Sequence, residues 1–434
     1  MKIVKKYSLW LLLIAFPLQA QERWTLEQCL NYALENNIQV KKKQLSQQSA
    51  EVNLHQAKSN HLPSVSGSVS ANMNNGSVIN QITNQRVNQT AYTNSMGVSA
   101  SVNLFQGGEL NLREQRTKLL LEQSELYVEE AKNSIRLSVI EAYLQALYAY
   151  EGITIAENTV LSSAEEVKRA QARYESGAIA RLDLADIETQ HATNQYNVVS
   201  AKNQYATQVL VLKQLLELAP EVDFQIAILS TDDLSQIIPN KEEVFRLAKE
   251  NLPDLKIYEV QKQVAEKDIR IAKAGSLPSL SLTAGLNTGY SSLTDYNYVT
   301  QLNNNFGQTV GLSLNIPIFS KFQNKNNIKL AKITLADNEL DRLQAEKTLY
   351  SKIETAWQNA TTRQAQQEAS KTARDNAKLA YELASKKFEF GNLTSTELAV
   401  TRSSYLNAEQ TYLQNKYMAI LYQQLLNVYQ GAKN

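Results

Sequence analysis

The feature that most constrains the fold of this 434-residue chain is an internal duplication. The stretch GVSASVNLF at 97–105 returns as GLSLNIPIF at 311–319. Three further blocks return in the same order and at nearly the same spacing: LNYALENN as FRLAKENL, AKSNHLPSVSGS as AKAGSLPSLSLT, and RYESGAIARLDL as KFEFGNLTSTEL. Two copies of one structural unit are therefore predicted, at 22–219 and 240–430, joined by a linker at 220–239.

Each copy contains one run that predicts a very long helix, at 109–176 and at 320–390. The second run has neither glycine nor proline, and the first has only Gly152. At 1.5 Å per residue, about 70 helical residues reach ~100 Å. Shorter helical runs precede the strands and follow at 178–219 and 392–430, so each copy is predicted to be a helical hairpin with one continuous and one broken limb. In the second copy a three- and four-residue spacing predicts a coiled-coil-like seam made of Ile333, Ala336, Leu340, Leu343, Tyr350, Ile353, Trp357 and Ala360.

Between the helices of each copy lie two runs of alternating apolar and polar residues, which predict β-hairpins at 63–105 and 278–319. Each run is about ten residues long, the length of a tilted membrane-spanning strand. The polar partners are Ser, Thr, Asn and Gly, which suits a water-filled lumen. Polar connectors at 75–94 and 288–308 are predicted to be exposed outer loops. A soluble β-hairpin would give the same alternation. Membrane strands are predicted because four such runs occur in a chain that is expected to be exported.

The N-terminus predicts export. Three lysines precede an apolar run at 9–16 that is too short to span a bilayer as a helix. The sequence LQA resembles a signal-peptidase site, so residues 1–20 are expected to be a signal peptide removed after Ala20. Cys29 is the one cysteine of the sequence, which excludes an internal disulfide framework and indicates a place in the core. A net charge of +1 gives no reason to expect a nucleic-acid partner, and a mean hydropathy of −0.36 excludes a polytopic helical membrane protein.

Four membrane strands per chain raise a problem of closure. In lipid an open sheet edge leaves backbone groups without hydrogen bonds, and each such group costs several kcal/mol. The smallest common membrane barrels have eight strands, so several protomers must pool their strands. Three protomers would give twelve strands and twelve helical limbs, although the sequence does not fix that number.

The full set of repeated motifs resembles the TolC family of outer-membrane efflux channels. The resemblance is carried by LEQCLNYALENN, HLPSVS and SLPSLS, the strand-to-helix junctions LFQGG and IPIFSKF, and the turns RYESG and KFEFG. It implies a mainly helical fold with long antiparallel hairpins and four strands per protomer, assembled as a homotrimer with a twelve-stranded barrel in the outer membrane of a Gram-negative bacterium. It also implies contact with outer-membrane lipid and a tunnel that extends into the periplasm.

The resemblance further implies a passive exit duct for small molecules in a tripartite efflux system. The partners would be a periplasmic adaptor (membrane fusion protein) and an inner-membrane pump or ABC exporter. Metal efflux and type I protein secretion remain alternative tasks for such a duct. Two rivals of other classes are a periplasmic adaptor, which would carry one hairpin and lipoyl-like segments, and an exported enzyme with a coiled-coil stalk.

Family members contact their adaptor at the turns between helices, and the resemblance places these contacts at eight positions: Gly177, Ala178, Ile179, Ala180, Gly391, Asn392, Leu393 and Thr394. Acidic residues near these turns ring the closed aperture in the family, and here they match Asp183 and Glu397, with Asp186 one turn further. Phe388 stands where a latch aromatic is common, while Leu393 departs from the basic partner found there. The simpler alternatives are ordinary hairpin turns and solvated acids. Ser320 and Lys321 are expected to replace the double glycine of the first copy.

The sequence offers no recognisable catalytic chemistry. His55, His61 and His191 show no metal-ligand spacing with Cys29, so no metal is expected. A nucleophile elbow, a P-loop and a dinucleotide fingerprint are all missing from the sequence. The chain is therefore expected to be neither an enzyme nor a cofactor carrier, and to depend on a partner for the energy of transport.

Overall fold

The computed structural model describes residues 23–79, 84–228 and 237–431, and its two halves follow the same order of elements. The expected signal peptide lies outside the described residues, as do residues 229–236 of the linker. The first half contains α1 (Leu26–Asn36), α2 (Ile38–Ser59), β1 (Ser64–Ile79), β2 (Arg86–Gln106), α3 (Glu109–Glu175) and α4 (Arg181–Leu215). The second half contains α5 (Lys241–Asn251), α6 (Pro253–Ala274), β3 (Ser279–Ser291), α7 (Tyr298–Asn304), β4 (Gly307–Asn315), α8 (Gln323–Glu389) and α9 (Ser395–Tyr429).

The helical run before each pair of strands is divided into two helices, of 11 and 22 residues. In the first half Asn37 makes the break, because its side chain caps α2 at Gln39 N (2.8 Å) and also donates to Leu215 O (2.9 Å). In the second half Leu252 precedes Pro253, and the proline ring forces the residue before it into an extended conformation. The two copies therefore bend at the same place by different chemistry.

The long helices α3 and α8 each contain 67 residues, so each reaches ~100 Å. Two members of the seam predicted on α8, Ile353 and Ala360, pack within the protomer together with Leu349 and Ala356, where they meet α5 and the end of α9. Nearer the start of α8, Ile333 and Leu340 are exposed in the protomer, so that part of the seam stays a prediction. Within the described residues no helix is both long enough and apolar enough to cross a membrane.

The four strands form one antiparallel sheet in the order β1-β2-β3-β4, so β2 and β3 join the two halves. Apolar residues oppose one another across all three strand pairs: Val69 and Met96, Val98 and Leu286, Leu282 and Leu312. The predicted architecture, long antiparallel helical hairpins with four strands, is confirmed.

Two details of the strand prediction are wrong. The connector predicted at 75–94 is mostly strand, since β1 and β2 pair as far as Ile79 and Arg86, and the connector at 288–308 contains α7. The second hairpin is predicted to extend to 319, but strand β4 ends at Asn315, so Ile316 and Ile318 lie outside the strand. Polar residues that continue a strand beyond its apolar part read as loop in a sequence, which explains the first error.

A central core lies where α1, α2, α3 and α4 meet the linker. Trp24 N donates to Gln225 O, and Ala227 N donates to Trp24 O, each at 2.8 Å, so the first described residues pair with the linker. The fully buried Tyr143 on α3 donates to the carbonyl oxygens of Trp24 (3.0 Å) and Ala227 (2.7 Å). Cys29 is also fully buried, and burial raises the pKa of its thiol to about 12, which makes it a structural residue.

Candidate functional site

The sheet has one apolar face and one uncharged polar face. Opposing residues of an antiparallel pair share a face, and the apolar face carries Val65, Val69, Met73, Val98, Leu286 and Leu312, all exposed in the protomer. The other face carries hydroxyl pairs across β1 and β2, whose oxygens are 3.0 Å apart for Ser64 with Ser101, 3.0 Å for Ser66 with Ser99 and 2.7 Å for Ser70 with Ser95. The arrangement suits lipid on one side and water on the other.

The apolar face has the height of a membrane. From Tyr92 to Val102 strand β2 advances about ten residues, which is ~33 Å along the strand and ~25 Å once tilted by about 40°. Tyr92 and Tyr290 lie at the outer end of this face, and Phe105 lies at its inner end after a bulge in β2. Aromatic residues at both ends of an apolar band are typical of membrane strands.

The junction from strand to long helix has the same backbone shape in both halves. Gly107 and Gly108 adopt φ values of 59° and 77°, and Lys321 and Phe322 adopt 52° and 64°. The double glycine of the first copy is therefore replaced by Lys321 and Phe322, one residue later than the expected Ser320 and Lys321. A Cβ atom at Gly107 would lie 2.9 Å from Ala274 O, so glycine is required there. The second copy accepts the left-handed conformation without glycine, which costs roughly 1–2 kcal/mol per residue.

The two tip turns, at 177–180 and 391–394, have the same construction. Gly177 and Gly391 adopt φ values of 76° and 77°. Each glycine follows the last turn of a long helix, and two backbone hydrogen bonds close that turn. In the first tip Gly177 N donates to Tyr174 O (2.9 Å) and Ala178 N donates to Arg173 O (2.8 Å). In the second tip Gly391 N donates to Phe388 O (3.0 Å) and Asn392 N donates to Lys387 O (2.9 Å). This pair of hydrogen bonds with a left-handed glycine is the Schellman motif.

The predicted contact residues are not equally accessible at the tips. Gly177, Ala178 and Ala180 are exposed in the first tip, as are Gly391, Asn392 and Thr394 in the second. Ile179 is half-buried and packs on a small cluster of Ala170, Leu184 and Ile187, and Leu393 is also half-buried. Adaptor contact at these residues stays a prediction. The six exposed residues are the ones that an adaptor could touch directly.

The acids predicted at the aperture have a local structural role that the sequence pattern also indicates. Asp183 accepts a hydrogen bond from Ala180 N (3.2 Å), and Glu397 accepts from Thr394 N (3.0 Å) and Thr394 Oγ1 (2.8 Å). In α9 these bonds complete a capping box, because Glu397 N also donates to Thr394 Oγ1 at 3.3 Å, whereas Ala180 has no side-chain acceptor and α4 has only the bond to Asp183. The bonds from Thr394 hold the pKa of the Glu397 carboxyl below its usual value. The pattern Thr-Ser-Thr-Glu at 394–397 is the sequence signal for a capping box. The prediction of Glu397 as a pore residue does not take this signal into account. A pore role for Asp183, Glu397 and Asp186 stays a prediction.

Phe388 joins the two tips of one protomer. The Arg173 guanidinium lies over its ring at 5.4 Å from the centroid, and Arg173 Nη1 donates to Phe388 O at 2.9 Å. The ring also packs against the cluster of Ala170, Leu184 and Ile187. A second tie between the tips runs from Ser395 Oγ to Asp183 Oδ1 at 3.3 Å. The structure therefore assigns the predicted latch aromatic a contact within its own chain.

A buried charge pair lies a few turns above the tips, at positions that no sequence motif marks. Glu166 on α3 and Arg402 on α9 form an ion pair and are only 8% and 6% exposed. Tyr381 on α8 donates to Glu166 Oε1 at 3.1 Å. Burial lowers the pKa of the Arg402 guanidinium. Charged residues inside long polar helices normally face water, so no sequence pattern distinguishes these two from their neighbours.

Metal ligands do not cluster in the part of the chain that the structure describes. No group of three or more His, Cys, Asp or Glu side chains there is placed to hold a metal ion. His191, which is half-buried, has Nδ1 at 2.8 Å from Ser163 Oγ and Nε2 at 3.1 Å from Gln195 Nε2.

Comparison with known proteins agrees with this geometry over nearly the whole chain. The family model for outer membrane efflux proteins matches residues 29–217 and 244–430. The outer membrane protein TolC of Vibrio cholerae is 22% identical over 72% of this chain and 70% of its own length. The pyoverdine export outer membrane protein OpmQ of Pseudomonas putida is 24% identical over 74% of this chain and 67% of its own length.

A solved structure shows the same fold. The outer membrane channel CmeC of Campylobacter jejuni superimposes with a TM-score of 0.79, at 20% identity, over 94% of this chain and 85% of its own. The family match covers both repeated halves, which contain the membrane sheet and both tips. The chain therefore belongs to the outer membrane efflux protein family and is an outer-membrane exit channel of tripartite efflux.

Proposed function

We propose that three copies of the chain form one passive duct that releases small molecules from the periplasmic side to the exterior. The observation that carries this proposal is the open four-stranded sheet with an apolar face of membrane height. The family membership supports the location, and the geometry of the sheet supports the assembly.

The sheet edges supply the physical reason for assembly. Strand β1 pairs on one side with β2, and β4 pairs on one side with β3, which leaves an outer edge on each within the described residues. Exposed to hydrocarbon, each unpaired backbone group on these edges costs several kcal/mol. Pairing β1 of one protomer with β4 of the next removes both edges. Three protomers then close twelve strands, an even number within the range of known membrane barrels.

The helices extend the same cylinder below the membrane. Apolar side chains are exposed on the outer faces of α4 and α8, including Leu182, Tyr196, Val199, Leu379 and Leu383. Exposed apolar surface of this kind marks a protein interface. Neighbouring protomers would cover these faces, and the long helical limbs of each chain would enclose a tunnel ~100 Å long.

The duct would take both its energy and its cargo from partners. We infer that a periplasmic adaptor meets the exposed turns at 177–180 and 391–394, and that an inner-membrane pump or ABC exporter drives transport, with no catalysis in this chain. The hydroxyl pairs on the polar face of the sheet carry no charge, so this face has no ring of charged side chains that would select for ions. Export of a small molecule, pyoverdine, is what the name of one relative states.

The assembly is tested by native mass spectrometry of the mature protein in detergent. The expected result is a single species of three times the protomer mass that migrates as a trimer on gels until it is heated. A monomer that stays in solution without detergent would reject the duct.

The cargo is tested separately by deleting the gene in the source bacterium. The expected result is greater sensitivity to small organic toxicants, with unchanged metal tolerance and unchanged secreted proteins. Loss of metal tolerance or of one secreted protein alone would reject small organic molecules as the cargo.

A further inference from the structure

A cavity of about 260 Å³ lies between α3, α4 and α9, next to the central core. Its walls combine apolar side chains with amide and hydroxyl side chains, among them Ile155, Leu406, Leu413, Asn197, Ser200 and Gln410. None of the described residues that line it is charged. Apolar walls with a few polar groups are typical of sites for small organic molecules.

The internal duplication shows why the cavity is open. Glu109 begins α3 and Gln323 begins α8, 214 residues later, and the same offset relates the first residues of α4 and α9. At this offset four small residues of the cavity wall correspond to four larger, polar residues of the second half. The pairs are Ala149 with Arg363, Gly152 with Gln366, Ala156 with Ser370, and Ala201 with Asn415.

In the second half these polar side chains occupy the corresponding place between α8 and α9 and bind one another. Arg363 Nη1 donates to Asn415 Oδ1 and to Gln366 Oε1, each at 3.1 Å. Asn415 Nδ2 donates in turn to Ser370 Oγ at 3.4 Å. The second half therefore uses its own side chains where the first half leaves a space.

The first half also leaves one buried hydrogen-bond donor without a partner beside this space. Asn194 on α4 lines the cavity and is only 2% exposed. Its Oδ1 atom accepts a hydrogen bond from Gln190 Nε2 at 3.1 Å, but its Nδ2 atom has no partner in the part of the chain that the structure describes. A buried donor without an acceptor is costly, so the cavity favours an occupant that brings an acceptor oxygen. The corresponding residue of α9 is Ala408, which needs no such partner.

We propose that this cavity binds a small neutral organic molecule that carries a carbonyl or similar acceptor oxygen. The oxygen accepts the hydrogen bond that Asn194 Nδ2 lacks, and the apolar part of the molecule packs against Gly152, Ala156 and Leu413. An engineered cavity of about 150 Å³ in another protein holds benzene, so this larger cavity has room for one ring and a short polar substituent. The site lies within one protomer and goes beyond the proposed duct.

The test is fluorine NMR on the purified mature protein in detergent, with para-fluorobenzamide as the probe. Binding broadens the fluorine line of the probe, and a titration gives its Kd. The matched probe is para-fluorobenzoate, which has the same ring but carries a negative charge. Because no charged side chain among the described residues lines the cavity, the amide is expected to bind at least ten-fold more tightly than the carboxylate.

Two variants test the cavity itself. Gly152→Gln introduces the side chain that the second half has at this place, and its Cβ would meet no atom within 4 Å, so the helix accepts it while the cavity is filled. Asn194→Leu keeps a similar volume and removes the donor. Each is expected to weaken binding of para-fluorobenzamide at least ten-fold. The matched control is Ala164→Gln, which adds the same side chain at an exposed position of α3 and should leave the Kd unchanged.

Failure of the wild-type protein to bind para-fluorobenzamide would overturn the proposal and leave water as the occupant of the cavity. Binding that survives Gly152→Gln or Asn194→Leu would also overturn it, as would equal binding of the carboxylate or an equal loss in Ala164→Gln. The mass of the detergent-solubilised protein decides the duct separately. Trimers that bind no probe would reject this site alone, and a monomer that binds the probe would reject the duct alone.

Discussion

The tip glycines provide a direct test of adaptor contact, since the structure shows what each substitution would disturb. Gly177 adopts a φ of 76°, and a Cβ atom there would meet no atom within 4 Å. Replacement by valine therefore acts through the backbone alone, at roughly 1–2 kcal/mol for the left-handed conformation. Since about 1.4 kcal/mol is a factor of ten in population, the native turn would lose roughly five- to thirty-fold against alternative turns.

The assay is site-specific crosslinking of the tip to the adaptor in cells, with trimer content measured in the same samples. Gly177→Val is expected to lose most of its crosslinking while trimers remain, because the turn lies far from the sheet. Gly177→Asn is the matched control, since asparagine tolerates the left-handed conformation and should retain crosslinking. Wild-type crosslinking by Gly177→Val would refute the assignment of the tip as the contact surface.

Gly391→Val should lose crosslinking to about the same extent as Gly177→Val, because its φ of 77° gives the same backbone strain and its Cβ, 3.4 Å from Arg173 Nη2, makes only an ordinary contact; crosslinking of the two variants compares them. Lys321→Gly should raise the thermal midpoint, since it relieves a left-handed non-glycine residue at about 1 kcal/mol. Because the pKa of Glu397 is lowered, the stabilisation from its carboxylate at the start of α9 is fully present above pH ~4.3 and is lost as the pH falls through the folded-state pKa. Hydrogen exchange at the second tip should therefore accelerate in acid, and Glu397→Gln should remove that pH dependence. Tyr143→Phe removes the hydroxyl donor to Ala227 O, while Trp24 O keeps the hydrogen bond from Ala227 N, and should lower the unfolding free energy by about 1–3 kcal/mol, as measured by denaturation. Neutralising Asp183 together with Glu397 should weaken block by multivalent cations in planar bilayers, and unchanged block would remove both from the pore.

The long elements can be predicted because glycine and proline mark where they end. The runs around Gly177 and Gly391, together with the alternation in the strands, are sufficient to predict the helical hairpins and the sheet. The break at Leu252 has a visible cause in Pro253, whereas the break at Asn37 depends on a side-chain cap that also reaches Leu215. Caps of that kind depend on tertiary position, which a single sequence does not reveal.

The candidate site is predictable in outline but not in its contacts. Repeat and resemblance locate the tips and their acids, but they do not reveal the ties between the halves, because Arg173, Glu166 and Arg402 look like any charged residue of a solvated helix. The left-handed pair Lys321 and Phe322 is also unpredicted, since side chains rarely adopt that conformation and the sequence carries no glycine there. The ties could not be predicted because a single sequence does not identify the helix that faces each of these residues.

The most direct test of the trimeric barrel is whether β1 of one chain lies beside β4 of another. Cysteines introduced on the polar face, at Ser68 on β1 and in a short panel along β4, can be oxidised in membranes, and Cys29 is too buried to interfere. Closure by three protomers predicts that at least one register gives a ladder of crosslinked chains that stops at three. A ladder that continues beyond three, or a bond formed only within one chain, would contradict it.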